Sequence, residues 1–236
     1  MRQAGFVVAQ VKSKIAQAIR PGITTNDLDK IAEQEIKRLG AQSNFKGYMG
    51  FPATICVSIN EEVVHGIPSN RRMREGDIVS VDVGAIINGF HGDSAFTVGV
   101  GQITQQAQKL IDDTKESLRL GVVQAKAGSR VGDISAAVQK YSEERGYGVV
   151  RQYVGHGIGR AMHEDPQIPN YGIPGRGPLL REGMAIAIEP MLNLGMWETV
   201  QLDDGWTVVT ADNKLSAHFE DTVAITENGP EVLTTA

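Results

Sequence analysis

The segment from Ile78 to Val98 (IVSVDVGAIINGFHGDSAFTV) constrains the fold of this chain more than any other. Two runs rich in β-branched and apolar residues flank the dipeptide Asn88-Gly89. An Asn-Gly pair between such runs favours a type I′ turn, because that turn needs positive φ at both central positions. The sequence therefore predicts a β-hairpin centred on Asn88-Gly89.

Two carboxylates of this hairpin fall on the same face of the predicted sheet. With the turn centred on Asn88-Gly89, Asp82 faces Ala95 and Gly84 faces Asp93. Residues two apart on a strand share a face, so Asp93 lies on the face of Ala95 and Asp82. The two acids are then diagonal neighbours, about 7–8 Å apart at the backbone. Because buried like charges repel each other, we expect a divalent metal between them.

The alternative is that one of these acids belongs to a turn or an edge in contact with water. Val79, Val81 and Val83 occupy the opposite face of the first strand. Three valines at alternate positions indicate a strand that is buried on that face. The pattern therefore favours a buried pair of acids.

Composition limits the classes of protein that this chain can belong to. Its 236 residues, 41% of them hydrophobic, suffice for one large domain or two small ones. The net charge of −5 argues against nucleic acid or an anionic membrane as partner. Cys56 is the single cysteine, and the sequence shows neither a leader nor a membrane-spanning run, so the expected compartment is the cytoplasm. The basic cluster Arg71, Arg72 and Arg74 predicts a solvated turn, with transient docking on a ribosome as the alternative.

The chain shows signs of an internal duplication. Apolar spacing predicts helices over Gln3–Arg20, from Thr24 to Gly40, over Thr104–Leu120 and over Val131–Arg145. The residues Gly22, Asp27 and Gly40 are matched at one constant offset by Gly128, Asp133 and Gly146. A helix-helix-strand order in both halves favours a repeat. The alternative is coincidence, because glycines end many helices.

Several shorter apolar runs predict strands. They are Ala53–Ile59, Tyr147–Tyr153, Met184–Glu189, Trp206–Thr210 and Leu215–Ile225. The last two are expected to pair through a turn at Asp212-Asn213. The Pro- and Gly-rich stretch from Pro166 to Pro178 predicts a surface loop.

Five ionisable residues occupy positions that are expected to be buried. They are Asp82, Asp93, His156, Glu189 and Glu220. Four carboxylates and one imidazole would be balanced by two divalent ions, as in known two-metal hydrolases. This ligand set suits Mn, Fe, Co or Zn and does not choose among them. The alternatives are a solvent-exposed acid at a strand end for Glu189, an outward-facing residue for Glu220, and an ordinary loop histidine for His156.

Four motifs carry a resemblance to a known family. They are VDVGAIINGFHGDSA, GHGIGRAMHEDPQIPNYG, AIEPM and SAHFEDTVAIT, in family order from about the first helix to the end of the chain. With them the sequence resembles the type I methionine aminopeptidases of the bacterial short form. The resemblance implies an α+β pita-bread fold, in which two pseudo-symmetric αβ halves with a central antiparallel sheet enclose a dinuclear metal site. It also implies a single catalytic domain over residues 1–236, with halves of about 1–103 and 104–236.

The resemblance further implies roles for single residues. Asp82 would be a terminal ligand, Asp93 and Glu220 would bridge both metals, and His156 and Glu189 would hold the second metal. Glu189 would also accept and return a proton. His65 would contact the substrate and His163 would orient the scissile carbonyl. The residues expected to form the pocket for the methionine side chain are Tyr48, Phe51, Cys56, His65, Met162 and Trp206, with His163 beside them.

The expected function is metal-dependent removal of the N-terminal methionine from peptides and nascent chains when the second residue is small, by a monomer. One alternative is a proline-specific aminopeptidase or prolidase of the same fold, although such relatives carry a further N-terminal domain. Another is a metal-free, non-catalytic binding protein or an amidinohydrolase of this fold. Proteins of that kind lose metal ligands, whereas all five are present here.

Overall fold

The computed structural model describes residues 1–235 of the chain, and within them four α-helices form two pairs. They are α1 (Arg2–Ala18), α2 (Thr25–Arg38), α3 (Gln105–Gln124) and α4 (Val131–Glu143), and a short 3-10 turn covers Tyr48–Gly50. The predicted helices are confirmed to within a few residues, because apolar spacing marked the face that packs on the core. None of these helices combines the length and the apolar character that crossing a lipid bilayer requires.

The remaining structure consists of short antiparallel strands. They are β1 (Gln42–Ser43), β2 (Cys56–Ile59), β3 (Glu62–Val64), β4 (Ile78–Ile87), β5 (Phe90–Gly99), β6 (Gly148–Val149), β7 (Gly155–Gly157), β8 (Glu164–Ile168), β9 (Ala185–Ile188), β10 (Met191–Asn193), β11 (Thr199–Gln201), β12 (Val208–Thr210), β13 (Ser216–His218), β14 (Asp221–Thr226) and β15 (Gly229–Val232). Two larger sheets carry most of the predicted site. One has the order β1-β4-β2 with β5 paired to β4, and the other has the order β15-β14-β9-β7-β8.

The hairpin β4–β5 has the predicted register. Asp82 pairs with Ala95 and Gly84 pairs with Asp93. Asn88 and Gly89 have φ of 53° and 72°, the positive values that a type I′ turn requires. The valines on the opposite face of β4 are fully buried. The turn dipeptide therefore sets the positions of both acids, because a slip of one residue would move them to the other face.

Each helix pair packs over its own apolar core. The larger residues of α1 and α2 pack against β4 with the valines of that strand. The corresponding faces of α3 and α4 pack against β9, β10 and β14. Both cores follow from the amphipathic spacing of the helices. The sheets of the two halves meet between these cores.

The two halves begin their second helices in the same way. Gly22 and Gly128 both have a φ of 88° in the turn before the helix. Asp27 accepts a hydrogen bond from the backbone N–H of Thr24, and Asp133 accepts the equivalent bond from Arg130. Each acid thus supplies the acceptor that an unpaired N–H at a helix start needs. These matches support the duplication, and the boundary at about residue 103 stays a prediction.

One predicted strand pairing is wrong. The run Leu215–Ile225 does not pair with Trp206–Thr210. It forms two strands instead: β13 pairs with β10, and β14 pairs with β9 and β15. Between them Glu220 exchanges backbone hydrogen bonds with Ala95 of β5. The sequence pattern does not predict the break between β13 and β14, because apolar residues continue through it.

Candidate metal centre

Three of the predicted ligands come together because β5 has a partner on each side. It pairs with β4 on one edge, which places Asp82 near Asp93. On the other edge, Ala95 and Glu220 exchange backbone hydrogen bonds of 3.2 and 3.0 Å. The Thr222 hydroxyl donates to the Asp93 carbonyl at 2.7 Å and accepts from the Asp93 N–H at 3.0 Å. The backbones that carry Asp93 and Glu220 are therefore locked together.

The other two predicted ligands stand on the neighbouring strands β7 and β9. Glu189 directly follows β9, and the Asn170 side chain donates to its carbonyl at 3.0 Å. His156 is the central residue of β7, and its Nδ1 lies 2.9 Å from the Gly157 carbonyl. That carbonyl can only accept, so Nδ1 carries the proton and the Nε2 lone pair is free. Nε2 lies 3.7 Å from Glu189 Oε1.

The structure brings all five predicted ligands to one cavity of about 190 Å³. Asp93, His156 and Glu220 each offer a ligand atom, and these atoms lie within 4.8 Å of one another. Within residues 1–235, Asp82 Oδ1, Asp93 Oδ1 and Glu220 Oε1 are buried without a hydrogen-bond partner. None of the residues that line the cavity is lysine or arginine. Crowded carboxylate oxygens of this kind, with one imidazole nitrogen, fit a divalent metal.

The pKa values of the residues in the cavity also fit a divalent metal. Burial raises the pKa of Asp93, Glu189 and Glu220 well above the usual values, and the neighbouring carboxylates raise it further. Burial raises the pKa of Asp82 to about 7. Burial also lowers the pKa of His156 to about 4, so this imidazole is neutral at pH 7. The acids can ionise together only when positive charge is supplied.

The rest of the cavity lining is largely apolar and aromatic. The predicted pocket residues Tyr48, Phe51, Cys56, Met162 and Trp206 all line it. The rings of Phe51 and Trp206 meet edge to face, with centroids 5.0 Å apart. An aromatic and sulfur-containing wall suits a flexible thioether side chain.

His65 is held at the cavity by a strained backbone. Its φ is 61°, a value that is uncommon for residues other than glycine and that clusters at functional sites. A Cβ on the next residue, Gly66, would lie 2.2 Å from the Val57 carbonyl oxygen, so only glycine allows this close approach. The His65 ring lies 6.4 Å from that of Trp206, and burial lowers its pKa to about 4.

His163 stands between the aromatic wall and the acids. Its Nδ1 lies 2.9 Å from the Tyr48 hydroxyl, and its ring centroid lies 4.3 Å from that of His156. Burial lowers the pKa of His163, so the neutral imidazole is the dominant form at pH 7. All the residues that the sequence singled out are thus brought to this cavity.

Sequence reasoning missed two residues that line the cavity. Phe45 and Met49 line the cavity as well, and Met49 is 82% exposed at its mouth. Both belong to the glycine- and aromatic-rich loop after β1, and the composition of that loop could have indicated them as site residues. His218, which the sequence places two residues before Glu220, is buried with its Nε2 4.0 Å from Glu189 Oε2.

Comparison with known proteins identifies the family. The profile of metallopeptidase family M24 matches residues 1–227. The methionine aminopeptidase of Clostridium acetobutylicum is 57% identical over 235 residues, which cover 99% of this chain and 94% of that protein. The chain belongs to the methionine aminopeptidases of this family. Methionine aminopeptidase 1 of Bacillus subtilis is 54% identical over 234 residues, with 99% and 94% covered.

Solved structures confirm the predicted pita-bread fold for this methionine aminopeptidase. The crystal structure of the methionine aminopeptidase of Thermotoga maritima matches with a TM-score of 0.99 and 48% identity, over 100% of this chain and 95% of that one. The prolidase of Pyrococcus furiosus matches with a TM-score of 0.80 at 24% identity, and this chain covers 63% of it. That second likeness concerns the fold alone. Family membership and the buried Asp/His/Glu cluster indicate a peptidase that uses divalent metal.

The raised pKa of Asp82 predicts how pH affects the stability of the metal-free methionine aminopeptidase. The folded-state pKa of about 7 lies above the usual 3.8, so the folded protein binds the proton more tightly than the unfolded chain. Stability is then lost as pH rises from about 4 through about 7. We expect Asp82→Asn to lose less stability than the wild type between about pH 5 and pH 8, as measured by urea unfolding with a chelator present.

Asp112→Asn is the matched control, because Asp112 is an exposed acid of α3 that does not line the cavity. It should keep the pH dependence of the wild type. Equal pH slopes for Asp82→Asn and the wild type would contradict the raised pKa.

Proposed function

We propose that this methionine aminopeptidase releases the N-terminal methionine of peptides and nascent chains by hydrolysis at a centre of two divalent ions. Its five ligands would be Asp82, Asp93, His156, Glu189 and Glu220. The observation that carries the proposal is the cavity itself, where partnerless carboxylate oxygens face an apolar aromatic wall. Such a cavity offers one place for cations and another for a thioether side chain.

The number of ions follows from charge. Four ionised carboxylates carry four negative charges, which two divalent ions balance and one does not. Asp93 and Glu220 would bridge the two ions, which agrees with their locked backbones. Asp82 would bind one ion terminally, and His156 and Glu189 would hold the other. The ligand set fits Co, Mn, Fe or Zn alike.

Divalent ions held by these residues would act as Lewis acids, which would lower the pKa of a bound water and polarise a peptide carbonyl. Glu189 is the proposed acceptor of the water proton and its later donor to the leaving amine. Burial raises its pKa, and its carboxylate lies beside the His156 Nε2. A raised pKa favours a group that both takes and returns a proton near neutral pH.

His163 is the proposed donor to the carbonyl oxygen of the scissile bond. If the Tyr48 hydroxyl donates to Nδ1, the proton of the neutral ring lies on Nε2, which is then a hydrogen-bond donor. A donor that is fixed before the reaction stabilises the developing oxyanion without reorganisation. Tyr48 therefore sets the tautomer and orientation of His163.

The pocket explains the choice of methionine in this proposal. Phe51 and Trp206 form a rigid aromatic wall, and Cys56 and Met162 add polarisable sulfur. His65 contacts the substrate beside this wall. The free α-amine would lie at the carboxylate end of the cavity, so only the first residue of a chain can bind there. A small second residue would then be preferred at the narrow mouth.

We further propose that residues 1–236 act as one catalytic domain. The first half, about 1–103, supplies Asp82 and Asp93, and the second half, about 104–236, supplies the other three ligands. One chain brings all five ligands to the same cavity, so we propose a monomer as the active form. Because nascent chains are the proposed substrate, the proposed compartment is the cytoplasm.

A transient ribosome contact through the arginine cluster belongs to the same proposal. Two of these arginines are engaged within the protein. Arg71 pairs with Glu62 at 2.6 Å, and Arg72 donates to the Gly22 carbonyl at 2.7 Å. Arg74 is exposed and is the member of the cluster best placed for such a contact.

Peptide hydrolysis tests the proposed function directly. The purified protein with added Mn²⁺ or Co²⁺ should release methionine from Met-Ala-Ser and leave Ala-Pro-Ala intact, since the apolar pocket accepts a thioether. Release of the first residue from Ala-Pro-Ala would instead identify a proline-specific enzyme. Metal binding without cleavage of either peptide would identify a binding protein.

Replacing the proposed proton carrier should stop turnover while metal binding persists. Glu189→Gln keeps the shape and one oxygen ligand but cannot accept a proton at pH 7. We expect kcat to fall by about 10²–10⁴-fold, with metal binding still detectable by calorimetry. A variant that keeps near-normal kcat would refute the role of Glu189.

The contact between Tyr48 and His163 predicts a large loss of kcat when His163 is replaced and a small loss when Tyr48 is replaced. His163→Ala removes the donor, so kcat should fall by about 10²–10³-fold while KM changes little. Tyr48→Phe removes only the hydrogen bond that fixes the ring, so kcat should fall by about fivefold. Steady-state kinetics on Met-Ala-Ser measures both. A large rise in KM at unchanged kcat would mean that His163 binds the ground state only.

A further inference from the structure

A polar cluster lies directly behind two of the proposed metal ligands. Ser94 follows Asp93 on β5, and Asp221 follows Glu220 at the start of β14. The Lys12 ammonium group of α1 donates to Ser94 Oγ at 2.5 Å and lies 3.6 Å from Asp221 Oδ1. Successive residues of a strand point to opposite faces, so this cluster lies behind the acids. We call Lys12, Ser94 and Asp221 the Lys12 tether.

The hydrogen bonds of the tether connect three segments of the chain. The Ser94 hydroxyl donates to the Glu220 carbonyl at 2.5 Å, which leaves its lone pairs to accept from Lys12. Asp221 Oδ1 also accepts from the Thr234 hydroxyl at 2.7 Å. The tether thus joins α1 and β5 to the backbone that carries Glu220. Several hydrogen bonds together fix the positions of these side chains, because each polar group has a partner.

Stability alone is a weak reason for such a cluster. The side chains of Lys12 and Asp221 are only 18% and 21% exposed. Withdrawing an ion pair from water costs free energy that the mutual attraction repays only in part. Packed apolar residues would hold α1 on the sheet equally well. The Lys12 tether adds a fixed distance between the backbone of Asp93 and the backbone of Glu220.

We propose that Lys12 is a positioning residue of the metal centre, which holds Ser94 against Asp221 and thereby fixes the spacing of Asp93 and Glu220. This inference rests on the proposed function, since it assumes that both acids bind metal. Lys12 lies behind the ligands and touches neither the ions nor the substrate. Its role is to keep two bridging carboxylates at one separation while ions bind and leave.

The charge and the geometry of Lys12 have opposite effects on metal affinity, and this makes the inference testable. Removing a nearby positive charge favours the binding of a divalent cation. Loosening the spacing of the ligands disfavours it, and partners behind a metal site are typically worth about 10–100-fold in affinity. The sign of the change in Kd therefore tells which effect dominates.

The experiment measures the affinity of metal-free protein for Mn²⁺ and Co²⁺ by calorimetry. Lys12→Met removes the tether and its charge, whereas Ser94→Ala breaks the tether and keeps the charge. We expect both to weaken binding by about 10–100-fold and to change the visible absorption spectrum of the Co²⁺ form. Lys14→Met is the matched control, because Lys14 is an exposed lysine of the same helix, and its Kd should stay within about twofold of the wild type.

A rise in the Kd for metal of more than about threefold in both Lys12→Met and Ser94→Ala supports the inference. A smaller change or tighter binding in either variant overturns it, since Lys12 would then act through its charge alone or not at all. If Lys12→Met does not fold, Lys12→Gln, which removes the charge and keeps the Ser94–Glu220 hydrogen bond, decides the matter by the same criterion. Cleavage of Met-Ala-Ser by the wild type tests the proposed function separately, so the two can fail independently.

Discussion

Repulsion among four buried carboxylates is the constraint on which the rest of this structure depends. Asp82, Asp93, Glu189 and Glu220 share one cavity, and burial together with their mutual repulsion raises the pKa of three of them well above the usual range. An arrangement of this kind persists only if the backbones that carry the acids cannot move apart. The antiparallel ladder between β4 and β5 supplies that rigidity on one edge of β5. On the other edge, the backbone hydrogen bonds between Ala95 and Glu220 and those of the Thr222 hydroxyl to Asp93 join the two halves.

The sequence predicted the parts of the site that local chemistry determines. Asn88-Gly89 specifies its turn through two positive φ angles, and the register of Asp82 and Asp93 then follows from strand geometry. The helices followed from apolar spacing in the same way. For His156, Glu189 and Glu220, residue patterns left alternatives open, and the family motifs chose among them. Their convergence depends on contacts between segments that are far apart in sequence.

What the sequence did not predict are contacts made across the assembled fold. The run Leu215–Ile225 reads as one strand, but it divides where Glu220 pairs with β5, a partner more than a hundred residues earlier in the sequence. The contact between Tyr48 and His163 and the tether of Lys12 depend equally on tertiary structure. Half-buried lysines on amphipathic helices are ordinary in sequence, and nothing local distinguishes Lys12 from Lys14. Only the structure shows which of the two lies behind the acids.

The two parts of the cavity lining together explain why such a site acts on chain ends. One part of the lining consists of carboxylates, which need cations to balance their charge. The other part consists largely of aromatic rings and sulfur, which favour an apolar side chain. In the proposed centre, a free amine would reach the ions and a side chain on the same carbon atom would fill the apolar lining, and in a polypeptide only the first residue carries both. Under the proposed assignment, selectivity for the N-terminus therefore follows from the presence of both kinds of lining in one cavity. Cys56 of β2 pairs with Asp82 of β4, so the strand pairing that positions one of the acids also positions a residue of the apolar lining.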